Sequence, residues 1–206
     1  MSFPHVAAVA SRNPDKVREI LAICSDWPVQ WRTAQDHPGQ WPDVEETGTT
    51  YLDNARLKAS AVAGALVVPA LADDSGIEVD ALGGAPGPRS ARFAGERASD
   101  RDNLERLIEL IRDVPDVGRS ARYRCVAVLA FPEGEEMIGE GTCEGTLITE
   151  PRGSGGFGYD PIFVPSGRTE TMAELAPEEK DRISHRGRAL AALRAQLAAA
   201  PLARGR

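Results

Sequence analysis

Apolar residues recur along this chain at two different periods, and the alternation between them lays out most of the expected elements. Val6 to Ala10 is a short apolar run that stops at Ser11-Arg12-Asn13-Pro14, after which Val17, Ile20, Leu21 and Cys24 recur at helical spacing. This predicts strand, tight loop and helix, with the first amides of the helix turned toward the strand end, where an anion is favoured. A second helix is expected from near Thr50, its buried face supplied by Leu52, Ala55, Ala59, Val62, Ala63 and Leu66, with Lys58 riding on it. Val67 to Ala72 then reads as a buried strand. It ends at Asp73-Asp74-Ser75-Gly76, which puts an acidic pair at a strand end, and Ile77 to Val79 continue beyond.

Gly83 to Gly95 is rich in Gly and Pro and too long for a simple turn, so it is a candidate binding loop. Asp100 is placed to cap a helix carrying Leu104, Leu107, Ile108 and Ile111. Arg122 to Phe131 and Ile138 to Ile148 read as a hairpin turning at Pro132-Glu133-Gly134. A second glycine-rich loop, Gly153 to Asp160, leads into a short strand, Pro161 to Pro165. Pro177-Glu178-Glu179 opens the last helix, whose apolar positions include Ile183, Leu190, Leu193 and Leu197. Strands and helices alternate early and a hairpin intervenes later, which predicts an α/β protein with a mixed sheet rather than a purely parallel one.

Length and composition narrow this further. The 206 residues, 42% of them hydrophobic, can bury a substantial core and favour a single domain over residues 1–200, with a frayed tail at 201–206. The formal net charge of -7 disfavours broad attraction to nucleic acid or anionic membrane, while a local basic cleft can still hold a small anion. Cys24, Cys125 and Cys143 are odd in number and lack metal-type spacing, so a reducing cytoplasm fits. No secretory pattern opens the sequence, and no apolar run is long enough to span a bilayer.

Of the 24 basic residues only three are lysines, Lys16, Lys58 and Lys180, each amid polar and small residues. Where Arg has taken nearly every other cationic position, the retained lysines mark sites that suit a compact ammonium, and phosphate oxygens are its natural partner. Asp73 and Asp74, with Glu45 and Glu46 upstream, are hard oxygen donors suited to Mg²⁺ alongside substrate phosphates. Phe157, flanked by glycines, offers a face on which a flat base can stack. Ser184-His185-Arg186 lies on the last helix just after Lys180, which places Lys180 and Ser184 one turn apart on the same face, and His185 and Arg186 carry donors that suit a carbonyl. Neither a Walker loop nor a dinucleotide fingerprint is present, and no nucleophile elbow supports a Ser-His-Asp hydrolase.

These segments, taken in order, resemble one family. They are Ser11-x-Asn13-x-x-Lys16-x-x-Glu19; Glu45-Glu46-Thr47-Gly48-Thr49-Thr50 with Asn54-Ala55-x-x-Lys58-Ala59; Ala72-Asp73-Asp74-Ser75-Gly76; Gly83-Gly84-Ala85-Pro86-Gly87 with Ser90-Ala91-Arg92; Gly155-Gly156-Phe157-Gly158-Tyr159-Asp160-Pro161; and Ser184-His185-Arg186. The set is similar to that of the inosine/xanthosine triphosphate pyrophosphatase family, whose bacterial members are the RdgB-type dITP/XTP pyrophosphatases. The resemblance runs from about Val6 to Leu197. One departure is Arg12, where many members have glycine.

The resemblance implies a two-lobed α/β fold with a nucleotide cleft between the lobes, usually a homodimer, and Mg²⁺-dependent hydrolysis of ITP, dITP or XTP to the monophosphate and pyrophosphate. It makes Asp74 the general base and a metal ligand, Glu45 the second metal ligand, and Ser75 a substrate contact. Ser11, Arg12, Asn13, Pro14, Asp15, Lys16 and Lys180 correspond to triphosphate binders. Phe157, Gly158, Tyr159, Asp160, His185 and Arg186 correspond to base and nucleotide contacts. On the residues alone, a non-catalytic nucleotide-binding module and a phosphatase releasing orthophosphate remain open beside this reading.

Overall fold

Residues 3–36 and 39–199 are described by the computed structural model. The chain runs β1 (Val6–Val9), α1 (Pro14–Ile23), β2 (Gln30–Arg32), α2 (Tyr51–Leu66), β3 (Ala70–Val79), α3 (Asp100–Ile111), β4 (Ser120–Ala130), β5 (Glu136–Leu147), β6 (Phe163–Pro165), α4 (Pro177–Ile183) and α5 (His185–Ala199). The strands form one sheet in the order β2-β1-β3-β4-β5-β6. β1 pairs in parallel with β2 and β3, whereas β6 is antiparallel to β5. This is the mixed α/β sheet that the alternation of elements predicts. No helix among the described residues is long and apolar enough to cross a membrane.

Two compact units divide the chain, the first comprising Met1–Asp74, Cys125–Gly141 and Arg186–Arg206, the second Ser75–Arg124 and Thr142–His185. The first has two apolar cores. One packs Ala55, Ala59, Val62 and Ala63 of α2 with Ala70, Ala72, Val126 and Val128 of the sheet. The other packs Val17 and Ile20 of α1 and Leu190, Leu193 and Leu197 of α5 with Leu71, Cys125 and Leu129. The second unit gathers Leu107 and Ile111 of α3, Ile77, Tyr123, Leu147, Ile162 and Phe163 into its own core.

The two early helices start as their sequences dictate. Pro14 occupies the first turn of α1, where its missing N–H costs nothing, and the Asn13 side chain accepts the amides of Asp15 and Lys16. Thr50 caps α2 by accepting the Asp53 amide. Elsewhere the structure corrects the expected pattern. The strand read as ending at Asp73 is continuous through Val79, because both carboxylates are paired in the interior and the sheet carries them. Ser99, rather than Asp100, caps α3, in a reciprocal box with Asp102.

The last helix is two. Ser184 is extended at φ -66°, ψ 158°, which ends α4, and α5 begins at His185, so the continuous helix expected from Pro177 onward does not form. β2, three residues long, is too short to show a period and was not anticipated. The Gly83 to Gly95 segment is tied down rather than open. Ser90 Oγ accepts the Ile77 amide and donates to Gly87 O, while the Tyr159 hydroxyl donates to Ser90 O at 2.7 Å. The tail expected at 201–206 lies outside the described residues.

Candidate active site

A strand sends successive side chains to opposite faces, and β3 applies that rule to the acidic pair. Asp73 follows Leu71 toward the α1/α5 core, whereas Asp74 follows Ala72 toward α2. The four carboxylates read as one group in the sequence are thus divided, the two aspartates facing opposite sides of the sheet.

On the α2 side, Asp74 Oδ2 accepts from Asn54 Nδ2 at 3.2 Å and Oδ1 from Lys58 Nζ at 3.2 Å. Asn54 and Lys58 are four residues apart on α2, so one helix face delivers both. Lys58 Nζ also lies 2.9 Å from Glu46 Oε1, so a single ammonium bridges two carboxylates. Asn54 Oδ1 in turn accepts the Gly48 amide at 2.9 Å and fixes the loop that carries Glu46. Burial raises the Asp74 pKa above the ordinary carboxylate range, with Lys58 and Lys16 offsetting part of the rise. Burial pulls the Lys58 pKa down, but Asp74 and Glu46 outweigh it and hold the ammonium charged.

Glu46, not Glu45, is the carboxylate brought to Asp74. Glu45 is exposed, and its side chain makes no ion pair among the described residues. The two glutamates are adjacent on an irregular segment, so no periodicity distinguishes them. No group of three or more His, Cys, Asp and Glu side chains among the described residues is close enough to hold a metal unaided. A Mg²⁺ ion needs less, since one or two carboxylates plus substrate phosphates suffice. The donor set of Glu46 and Asp74 is all hard oxygen, and Lys58 already shows a cation favoured between them.

On the α1/α5 side, Asp73 Oδ2 accepts from Arg186 Nη2 at 2.9 Å and Nε at 3.2 Å, and Lys16 Nζ lies 3.4 Å away. Arg186 Nη1 donates to Glu19 Oε2 of α1. Arg186 is only 1% exposed. Burial alone would raise the Asp73 pKa, but Arg186 and Lys16 overcome it and hold the carboxyl well below its usual range. Cys125, kept as a thiol by burial, donates to the same oxygen at 3.8 Å. Asp73 Oδ1 is buried and accepts no hydrogen bond among the described residues.

This geometry changes the expectation for Arg186. Its guanidinium, read as a donor to a base carbonyl, faces Asp73 and Glu19 in the interior. An Arg fork matches a carboxylate better than a lone carbonyl, so the buried anions claim it.

The loop after β1 holds Ser11, Arg12 and Asn13, and the first turn of α1 holds Pro14, Asp15 and Lys16. Ser11 Oγ accepts the Asn13 amide at 3.2 Å. Asn13 already accepts the Asp15 and Lys16 amides, so the helix terminus is satisfied within the chain, and the Lys16 ammonium is held beside Asp73.

In the second unit, Asp160 is the hub. Its Oδ2 accepts the Phe157 amide at 2.9 Å and Lys180 Nζ at 2.6 Å, and its Oδ1 accepts the Tyr123 hydroxyl at 3.2 Å. Lys180 Nζ lies 5.3 Å from the centroid of the Phe157 ring. The Gly158 amide donates to Asp100 at 3.0 Å. Tyr123 stacks on His185 with centroids 4.5 Å apart and planes 6° from parallel. Gly156 has φ +69°, and a Cβ there would strike the Asp160 carboxylate and lie 2.9 Å from Lys180 Nζ, so only glycine lets the loop close over this pair. Ser75, half-buried, directly follows Asp74 on β3.

Sequence reasoning placed Asn54 and Glu19 in motifs but gave neither a role, and it did not separate the roles of the two aspartates. A signal existed for the first: an Asn on an otherwise Ala-lined buried helix face, one turn before a retained lysine.

An α/β sheet with carboxylates and ammonium groups gathered at one strand defines a class of proteins equipped to handle phosphates. The chain belongs to the Ham1 family, whose model matches residues 7–196. It is 50% identical over 187 residues to the dITP/XTP pyrophosphatase of Streptomyces coelicolor, covering 90% of this chain and 93% of that protein. It is 47% identical over 182 residues to the dITP/XTP pyrophosphatase of Halalkalibacterium halodurans, covering 88% and 93%. The solved structure of a HAM1 protein from Coxiella burnetii superposes with a TM-score of 0.84 at 39% identity, over 96% of this chain and all of that one.

Proposed function

We propose that this protein hydrolyses the non-standard purine nucleoside triphosphates ITP, dITP and XTP to the monophosphate and pyrophosphate, and so cleanses the nucleotide pool. The observation that carries the reading is Asp74, a buried carboxylate of raised pKa held by Asn54 and Lys58, with Glu46 on the same ammonium. A poised, positioned carboxylate is what a general base requires. The relatives named dITP/XTP pyrophosphatase match this chain over about nine-tenths of its length, which supports the same chemistry here.

In this reading Asp74 orients a water and takes its proton as the water oxygen bonds to the α-phosphorus. The bond from that phosphorus to the bridging oxygen breaks, and pyrophosphate departs. Lys16 and Lys58 meet the charge on the phosphate oxygens as compact ammonium groups. Glu46 and Asp74 would hold Mg²⁺, which when bound stabilises negative charge on phosphoryl oxygens. Glu45 is left out of this set.

Asp73 keeps Lys16 in place, and Arg186 keeps Asp73 charged. Recognition of the base is assigned to the Phe157 to Asp160 loop and His185, with Lys180 holding Asp160 and the Phe157 face. The working form is taken to be a cytoplasmic homodimer, on the family resemblance.

Incubation with ITP and Mg²⁺ tests the reading directly. Pyrophosphate release supports it, orthophosphate release makes the protein a phosphatase, and binding without turnover makes it a nucleotide-binding module.

A further inference from the structure

Residues 39–50, which carry Glu46, have no regular secondary structure, yet the Glu46 carboxylate must be held within reach of Lys58 and Asp74. Backbone without a helix or sheet ladder needs side-chain ties to keep one conformation. Three ties are visible. At one end Trp41 is buried in the α2 core with Ala8, Ala10 and Tyr51. At the other, Asn54 holds the Gly48 amide. Between them the third comes from outside the segment, from the loop after β1: Arg12 Nη2 donates to Trp41 O at 2.9 Å, and Arg12 Nη1 lies 3.4 Å from Asp43 Oδ1.

We propose that Arg12 is a positioning residue that straps residues 41–46 to the β1–α1 loop and so sets Glu46 against Lys58 and Asp74, rather than a group that grips phosphate. Three features support the strap over a phosphate contact. The guanidinium already spans two acceptors on one short stretch of chain. One acceptor is a main-chain carbonyl whose residue is anchored in the core, so the bond fixes backbone. The fork reaches away from its own loop, across 29 residues of sequence, while Lys16, in the first turn of α1, is held beside Asp73. The strap therefore couples the loop that leads into Lys16 to the segment that presents Glu46. This inference rests on the reading of Glu46 and Asp74 as metal ligands.

The test compares wild type, Arg12→Ala, Arg12→Lys and Asp43→Asn by amide hydrogen exchange and by Mn²⁺ titration followed by electron paramagnetic resonance. Loss of a hydrogen bond from a charged donor predicts exchange over 41–47 faster by about fivefold or more in Arg12→Ala, with α2 (51–66) at wild-type rates. Mn²⁺ should bind that variant about fivefold more weakly on the same estimate. Arg12→Lys, keeping one charged donor, should fall between. Asp43→Asn should stay near wild type, because Asp43 is 94% exposed.

Unchanged exchange over 41–47 overturns the proposal, as does faster exchange with unchanged Mn²⁺ affinity. Faster exchange spread equally through α2 overturns it too, since that is global loosening. A wild type that binds no Mn²⁺ sinks the metal reading and this inference with it, whereas an Arg12→Ala protein indistinguishable from a Mn²⁺-binding wild type sinks the strap alone.

Discussion

Arg186 and Asp73 are 113 residues apart in sequence and 2.9 Å apart in the fold, and neither exposes more than 1% of its side chain. The pair closes a chain of charge from Glu19 on α1 through α5 to β3, and ends at Lys16. Each member faces an oppositely charged partner in the interior, so removing one leaves others stranded.

Arg186→Ala should therefore cost about 3–5 kcal/mol of folding stability, with Arg186→Lys recovering little because one ammonium cannot fork between Asp73 and Glu19. Denaturant unfolding measures this. A loss below about 1 kcal/mol would show that the buried anions find other partners. The pH dependence follows from the lowered Asp73 pKa. A depressed folded pKa contributes stability that is complete above the unfolded value of about 4 and is lost as pH falls below it toward the folded value. In Arg186→Ala the folded pKa of Asp73 rises toward the unfolded value, so the acid-side loss is smaller and is complete at higher pH than in wild type.

Asp74 carries the opposite sign. Burial raises its pKa, so ionising it costs stability as pH rises from about 4 through the folded value. Asp74→Asn should be no less stable than wild type at pH 7, with its relative advantage shrinking in acid, while turnover of ITP falls by more than the roughly 10²–10⁴-fold expected for a lost general base. Near-native turnover would remove Asp74 from that role.

Lys58 opposes the rise at Asp74, so Lys58→Gln should move the acid limb of the kcat/KM profile for ITP to higher pH as well as lowering its plateau. An acid limb that stays in place would mean that a different group controls it.

Phe157 offers its ring beneath Lys180 on a loop closed by glycines. If a base stacks there, Phe157→Ala should weaken ITP binding by about 1–3 kcal/mol, roughly five- to 150-fold. Calorimetric titration of inactive Asp74→Asn with and without Phe157→Ala isolates that term from chemistry. Equal affinities would place the base elsewhere.

Val67 ends α2 in the left-handed region at φ 52°, a conformation that a β-branched residue adopts at a cost, and the residue is 73% exposed. Val67→Gly should stabilise the protein by about 1 kcal/mol, a rise in melting temperature of roughly 2–4 °C for a chain of this size. No activity change is expected. A lower melting temperature would show that Val67 makes a contact worth more than the strain.

The chain by itself determined the elements that repeat a period long enough to be seen. α1, α2 and α3 follow from apolar spacing, and β1, β4 and β5 from apolar or alternating runs. It also marked Lys16, Lys58, Asp73 and Asp74 as chemistry-bearing, because charge of that kind in small-residue surroundings is costly unless used. Tertiary structure alone decided which acid does what. One β-strand, continued where the sequence suggested a break, turned neighbouring aspartates to opposite faces; one met Arg186 and Lys16, the other Asn54 and Lys58. Likewise Glu46 rather than Glu45 reached Lys58, and Ser184 divided a helix that spacing had joined. Such outcomes depend on which distant groups neutralise a charge as water leaves it, and that energy is invisible to any local period.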